Sequence, residues 1–255
     1  MNIEQRSCGV RPTFHPMRHQ CVNSKLARGK IDVSEFDRFS ESYQQLHNAN
    51  VRITGETGEY FAAYKANYIA AKVATRPGCR ILDYGCGVGL VCRQLKKYLP
   101  EARVDGYDVS QVSVNRISST LRAQGTFTCE ARDLGHAYDI VFLANVLHHI
   151  EPNDRQDAIS HAAELLGRRG KLVIFEHNPA NPVTRWAVER CPFDENAVLL
   201  PPRESASYLA RSGFRRVRLD YIVFFPRVFK WLRRLESVLG WCPLGAQYAL
   251  VGSET

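Results

Sequence analysis

Arg80–Gly89 reads RILDYGCGVG, and this stretch decides the fold. Two apolar residues, Ile81 and Leu82, run into an acidic one, Asp83. Glycines follow at alternate positions, Gly85, Gly87 and Gly89, and the next residues, LVCRQLKKYL, have helical character. The order is strand, tight glycine turn, helix N-terminus. Glycine serves where the chain needs φ > 0 or where a ligand must touch the backbone. The helix start adds unpaired N–H groups and the positive end of its dipole. A nucleotide-like ligand is the expected occupant.

Outward from that turn, strands and helices alternate. CRILDY, ARVDGYDV, FTCEA, YDIVFLANV and KLVIFEH read as five strands separated by helical segments. The uninterrupted apolar run of the fourth indicates burial on both faces. Such β-α-β-α alternation predicts an α/β fold with a doubly wound, Rossmann-like and mostly parallel sheet. RRVRLDYIVFF and LGAQYALVG add two late strands, expected as an antiparallel pair at one edge. Upstream, SEFDRFSESYQQLH and YFAAYKANYIAAKVA read as two helices, the second with an Ala and aromatic face for the sheet. Residues 1–33 show no apolar periodicity and read as a flexible extension, leaving 34–255 as one domain with an insertion around 178–202.

The chain has 255 residues, 45% of them hydrophobic, enough for a full core without staples. It has no apolar run long enough to span a bilayer and no signal-peptide pattern at its start. Its eight cysteines form no C-x-x-C pair. Neither a disulfide framework nor a metal site is therefore expected, and the compartment is read as cytoplasmic. A net charge of +8 admits nucleic acid, anionic lipid or an acidic substrate. No RNA-binding signature accompanies it, which argues against a nucleic-acid partner. The sequence carries no signal for oligomeric state.

The glycine pattern is G-x-G-x-G, not the G-x-G-x-x-G of dinucleotide sites. Asp108 ends the second strand 19 residues after Gly89, where a carboxylate can bind ribose hydroxyls. The sequence ILDYGCGVG, then VDGYDVS, YDIVFLANVLHHI and GRRGKLVIFEHN resembles the class I S-adenosylmethionine-dependent methyltransferases. That resemblance implies a seven-stranded sheet with an antiparallel last strand and S-adenosyl-L-methionine as cofactor. It places Asp83, Gly85, Gly87 and Gly89 at the cofactor's methionine end, Asp108 on its ribose and Val109 against its adenine. Asp133 resembles the carboxylate that receives the adenine amino group. Tyr43, in FDRFSESYQ, resembles the tyrosine of a cofactor-capping helix, although Ser and Gln replace the usual Ala and Asp around it. Asn145, after the fourth strand, joins the cofactor set; it and Asn178 could also hold an acceptor by hydrogen bonds.

Methyl transfer to a hydroxyl needs alignment, a dry site and a base near neutral pKa. His148 and His149 follow the fourth strand, and Glu176 and His177 the fifth, at the sheet end where open α/β folds bind ligands. His149 and His177 are the candidate bases, with Glu176 as orienting partner. The insertion offers Trp186, Phe193, Leu199 and Leu200 as an apolar roof. The roof predicts a small, partly apolar or aromatic acceptor, methylated on oxygen; EHNP, CPFDENAVLL and PLGAQY resemble a bacterial subgroup of small-molecule methyltransferases, and that resemblance implies an acceptor of lipid, quinone or secondary-metabolite type. Residues 227–239 form a basic amphipathic stretch, expected to pack on the sheet edge, with peripheral contact to the inner face of a membrane as the alternative. An RNA methyltransferase, or a non-catalytic membrane-edge or partner-binding protein on the same fold, remain the competing functions.

Overall fold

A computed structural model describes residues 55–254, apart from 75, 192, 193 and 195. The expected extension over 1–33, the helix carrying Tyr43, and Phe193 lie outside the described residues. Among those described, seven strands form one sheet in the order β3-β2-β1-β4-β5-β7-β6. The strands are β1 (Arg80–Tyr84), β2 (Arg103–Tyr107), β3 (Phe127–Thr128), β4 (Tyr138–Ala144), β5 (Leu166–His177), β6 (Arg216–Ile222) and β7 (Gln247–Ser253). The first five run parallel. β7 is antiparallel to both β5 and β6, as the late strand pair predicts.

Alternation along the central strands feeds two cores. Ile81, Phe142, Val173 and Phe175 face one, and Leu82, Val141, Leu172 and Ile174 the other, all fully buried. Helices α1 (Gly58–Tyr68) and α2 (Leu90–Tyr98) close the first face through Ala66, Cys92 and Leu95. Helices α5 (Arg155–Glu164) and α7 (Pro202–Arg211) close the second through Ile159, Ala162 and Leu209. Truncating Leu95 or Phe142 to alanine would cost about 2–5 kcal/mol. The face of α1 turned to the sheet carries Ala62, Ala66 and Tyr68, as its spacing requires, and also Lys65, which is 6% exposed.

Two expectations change. The segment after β2, read as one helix, is two short ones, α3 (Gln111–Asn115) and α4 (Ser119–Arg122). Ser118 restarts the helix by accepting the Leu121 N–H, while Arg122 bonds back to the Val114 and Ile117 carbonyls. Arg227–Ser237 is a 3-10 helix and does not pack its apolar stripe on the sheet edge. Val228, Trp231 and Val238 are 72%, 70% and 66% exposed. The inward side is polar instead. Glu236 accepts the N–H groups of Phe224 and Phe225, and Arg233 pairs with Glu56 at 2.7 Å.

Candidate active site

The glycine turn is built against the end of β2. The N–H groups of Gly85 and Cys86 both donate to the Tyr107 carbonyl. Gly87 N–H donates to Asp108 Oδ2 at 2.7 Å, and Ser110 N–H to Oδ1 at 2.9 Å. Ser110, not Asp108, caps the following helix. Gly85 has φ +91°, and a Cβ there would lie 2.4 Å from Val146 Cγ2. Gly87, at φ +52°, has nothing within 4 Å of a Cβ position, so the turn opens onto space there.

Asp83 is the next-to-last residue of β1, just before the glycine turn, and is 1% exposed. The Cys92 thiol donates to its Oδ2 at 3.2 Å, but Oδ1 is buried with no partner. Burial pushes its carboxyl up to about 7, the Cys92 bond opposing and Asp108 reinforcing. A buried carboxylate oxygen without a donor is costly unless a ligand supplies one. Orphan Oδ1, open space at Gly87 and Asp108 at the rim suit a ligand that carries an ammonium and ribose hydroxyls.

The second half of the site lies at the ends of β4 and β5. Asn145 holds φ +60°, a strained value for a residue with a Cβ. Its N–H donates to the Phe175 carbonyl, and its Oδ1 accepts from Lys65 Nζ at 3.0 Å. That contact leaves Nδ2 to donate to His177 Nε2 at 2.9 Å. His177 is thereby held as an acceptor, its ring lone pair occupied. Burial pulls Lys65 down to about 8, partly offset by Glu176 and Asp83.

Glu176 is fully buried and accepts from Val146 N–H, Leu147 N–H and His148 Nδ1, the last at 2.5 Å. Burial opposes charge on His148, yet Glu176 and then Asp194 outweigh it and raise its pKa to about 9. Asp194 Oδ1 lies 3.6 Å from His148 Nε2 and 3.5 Å from His149 Nε2. Burial, then the charge on His148, lowers His149 to about 3 and His177 to about 4. His149 keeps part of its surface open, with 15% of its side chain exposed. The loop bearing Asp194 is fixed from both sides: Val198 N–H donates to the His148 carbonyl, and buried Arg155 donates to the Val198 carbonyl.

The structure thus gathers Asp83, Gly85, Gly87, Gly89 and Asp108 at one end, and Asn145, Glu176, His177 and His149 at the other. Val109 is half-buried beside the second core. Asp133 sits exposed on a 3-10 turn, accepting from Thr128 Oγ1. Asn178 is spent on structure, donating to the Pro243 and Gly245 carbonyls and accepting from Ala180 N–H. Of the expected roof, Leu200 belongs to the core and Trp186 is 41% exposed. Sequence reasoning missed Lys65, hidden in a run of alanines and aromatics. It also passed over Asp194, in an insertion read only for its apolar residues, and treated His148 merely as the neighbour of His149.

A family model described as a methyltransferase domain matches residues 82–172, from within β1 into β5. A ubiquinone biosynthesis O-methyltransferase of Chelativorans sp. is 28% identical over 236 residues, covering 81% of this chain and 90% of that protein. Its namesake in Brucella anthropi is 25% identical over 254 residues, covering 89% and 100%. Among solved structures, magnesium protoporphyrin IX methyltransferase of Synechocystis PCC 6803, with S-adenosylhomocysteine bound, shares the fold at TM-score 0.58. Its identity is 18%, over 91% of this chain and 100% of that one. The glycine turn, the sheet order and these likenesses agree, and together they support a class I S-adenosylmethionine-dependent methyltransferase.

Proposed function

We propose that the chain O-methylates a small, quinone-like ring acceptor at the sheet end where β4 and β5 finish. The observation that carries this reading is the pairing of two unlike half-sites on one sheet edge. One is an open glycine turn over an orphan carboxylate, and the other a buried histidine cluster. The ubiquinone O-methyltransferase relatives, similar over most of both lengths, supply the acceptor class and the oxygen.

S-adenosylmethionine supplies an electrophilic methyl group on a sulfonium. Asp83 Oδ1 and the turn hold its amino-acid end, Asp108 its ribose, Val109 its adenine side, and Asp133 and Tyr43 complete the set. Asn145, locked by Lys65 and His177, fixes the backbone between the half-sites. Glu176 holds His148 through Nδ1 and so fixes the spacing of the pair. His149, kept neutral by a pKa lowered to about 3, is the catalytic residue that accepts the hydrogen bond of the acceptor hydroxyl and orients it, the proton passing on to solvent as the methyl group arrives, and His177 lines the same wall. The oxygen takes the methyl group as S-adenosylhomocysteine forms.

The surface around this sheet end suits an amphipathic acceptor. The hairpin loop between β6 and β7 leaves the sheet beside His177, since Gln247 pairs with both His177 and Ile222. It exposes Val228, Trp231, Leu235, Val238, Trp241 and Leu244, with exposed Arg227, Lys230 and Arg234 among them. Apolar side chains interleaved with cations favour contact with an anionic bilayer. No helix among the described residues is long and apolar enough to cross a membrane. Sedimentation with anionic vesicles should fall when Trp231 and Trp241 become serine. Unchanged sedimentation would remove the membrane contact.

The function is tested with methyl-labelled S-adenosylmethionine and a lipophilic catechol-type acceptor. Label should appear as an O-methyl ether, and His149→Ala should lower kcat by about 10²–10⁴-fold with S-adenosylhomocysteine binding kept. Label entering RNA instead, or turnover indifferent to His149, would overturn the reading.

A further inference from the structure

Cysteine spacing gives no reason to expect a metal, yet two elements far apart in sequence bring metal-ligating atoms together. His148 and His149 follow β4, and Asp194 lies in the insertion. One ligating atom from each lies within 4.8 Å of the other two. From this geometry we infer that His148 Nε2, His149 Nε2 and Asp194 Oδ1 hold a divalent transition-metal ion. The inference rests on the methyl-transfer reading and reassigns His149 within it: with Nε2 on the ion, His149 would hold the metal, and the ion would act on the acceptor hydroxyl in place of a free imidazole lone pair.

Three observations carry it. First, the Asp194 separations, 3.6 Å and 3.5 Å, are long for charge-assisted hydrogen bonds. They match the spacing of ligands around one ion. With bonds of about 2.0–2.2 Å, tetrahedral neighbours lie about 3.3–3.6 Å apart. Both Nε2 atoms approach the same carboxylate oxygen, and the two imidazole rings are neighbours, centroids 4.1 Å apart and planes tilted by 46°. Second, His148 uses its other ring nitrogen, Nδ1, on the buried Glu176 carboxylate at 2.5 Å. A carboxylate behind a histidine is the usual partner of a metal-bound imidazole, since it fixes the tautomer and turns Nε2 toward the ion. Glu176 is itself fixed by the Val146 and Leu147 N–H groups, so the ligand is pre-aimed. Third, the site is closed on one side and open on the other. His148 has 1% of its side chain exposed, against 15% for His149 and 13% for Asp194.

Two imidazoles with one carboxylate favour the zinc, iron, cobalt and manganese class over magnesium or calcium, which prefer oxygen ligands throughout. Three protein ligands leave at least one position for an oxygen from outside the chain, the pattern of catalytic rather than structural sites. An acceptor hydroxyl in that position would lose its proton to solvent on the partly exposed side more readily, because the cation stabilises the oxyanion left behind. Asp194 comes from the insertion, so the site is complete only with the insertion docked.

The test uses the full chain, freed of metal with a chelator and titrated with Zn²⁺, Mn²⁺ and Co²⁺ by calorimetry, with bound metal counted by mass spectrometry. One equivalent should bind. Affinity should fall by at least about tenfold in His149→Gln and Asp194→Asn, and by about 10–100-fold in Glu176→Gln. Bound Co²⁺ should show d–d bands without a thiolate charge-transfer band, which excludes Cys191 and the other cysteines as ligands. S-adenosylhomocysteine binding and thermal melting of His149→Gln and Asp194→Asn show that these variants are folded. Absence of metal at one equivalent, binding that survives both variants, or a thiolate band would overturn the inference. Asp194 would then be the ion-pair partner of a protonated His148. Failure of the methyl-transfer reading has a different sign, namely absent S-adenosylhomocysteine binding in the wild-type chain.

Discussion

Asp83 on β1 and Asp105 on β2 are each 1% exposed, on neighbouring strands of one sheet, and are used in opposite ways. Asp105 is saturated. Its Oδ1 accepts from Thr126 N–H at 2.8 Å and Arg103 Nε at 3.2 Å, and its Oδ2 from Tyr138 OH at 2.9 Å, with Arg80 at 3.9 Å. Asp83 has a thiol on one oxygen and nothing on the other. A carboxylate that holds the fold together fills its acceptor sites from within the chain. On the proposed reading, Asp83 leaves one oxygen for the cofactor to satisfy, and the folded state carries the cost of that oxygen. The same contrast separates Asn178, whose side chain is consumed by three backbone contacts, from the histidine cluster beyond it.

The largest expected difference is in stability. Asp105→Ala leaves the buried Tyr138 hydroxyl and the Thr126 N–H without their acceptor, and at about 1–3 kcal/mol for each unsatisfied group it should be clearly destabilising in urea unfolding. Asp83→Asn removes an uncompensated charge and should leave the unliganded chain at least as stable at pH 8. Equal losses would erase the distinction.

A smaller difference is expected in pH dependence. The folded value of about 7 for Asp83 stands above its ordinary 3.8, so between these the folded chain holds a proton that the unfolded chain has released. Its contribution to stability is full below about pH 4 and is lost as pH rises through 7. Lys65 has the opposite sign. With a folded value of about 8 against 10.5, it makes stability rise with pH between those values. His149 and His177, lowered to about 3 and 4, act in the opposite direction to Asp83 between about pH 4 and 6.5, so the Asp83 contribution is read as a difference: the urea midpoint of Asp83→Asn should gain on that of the wild type as pH rises from 4 to 7. An unchanged slope in the variant would place the titrating group elsewhere.

Much of this was legible in the sequence, because it rests on local pattern. Glycines at 85, 87 and 89, an acidic residue at 108 and continuous apolar strands are enough to predict the mostly parallel sheet with its late antiparallel pair and to bring the turn and Asp108 together. What was not legible depends on tertiary placement. Lys65 occupies a helix face that reads as core, and only its contact with Asn145 identifies it. Asp194 meets His148 because the insertion folds back under Arg155, a contact no spacing encodes. Residues 227–239 have the moment of a packed amphipathic helix. Their direction is nevertheless set by Glu236 and Arg233, which turn the polar side inward and leave Trp231 outside.

The most direct test of the central claim, that the orphan oxygen of Asp83 is the cofactor's seat, is calorimetric titration of S-adenosylhomocysteine into the wild type and Asp83→Asn at pH 8. One site should be found in the wild type. The variant, melting no lower, should bind about 10–100-fold more weakly, the worth of one charge-assisted hydrogen bond. Absence of binding to the wild type, or equal affinity in the two chains, would contradict it.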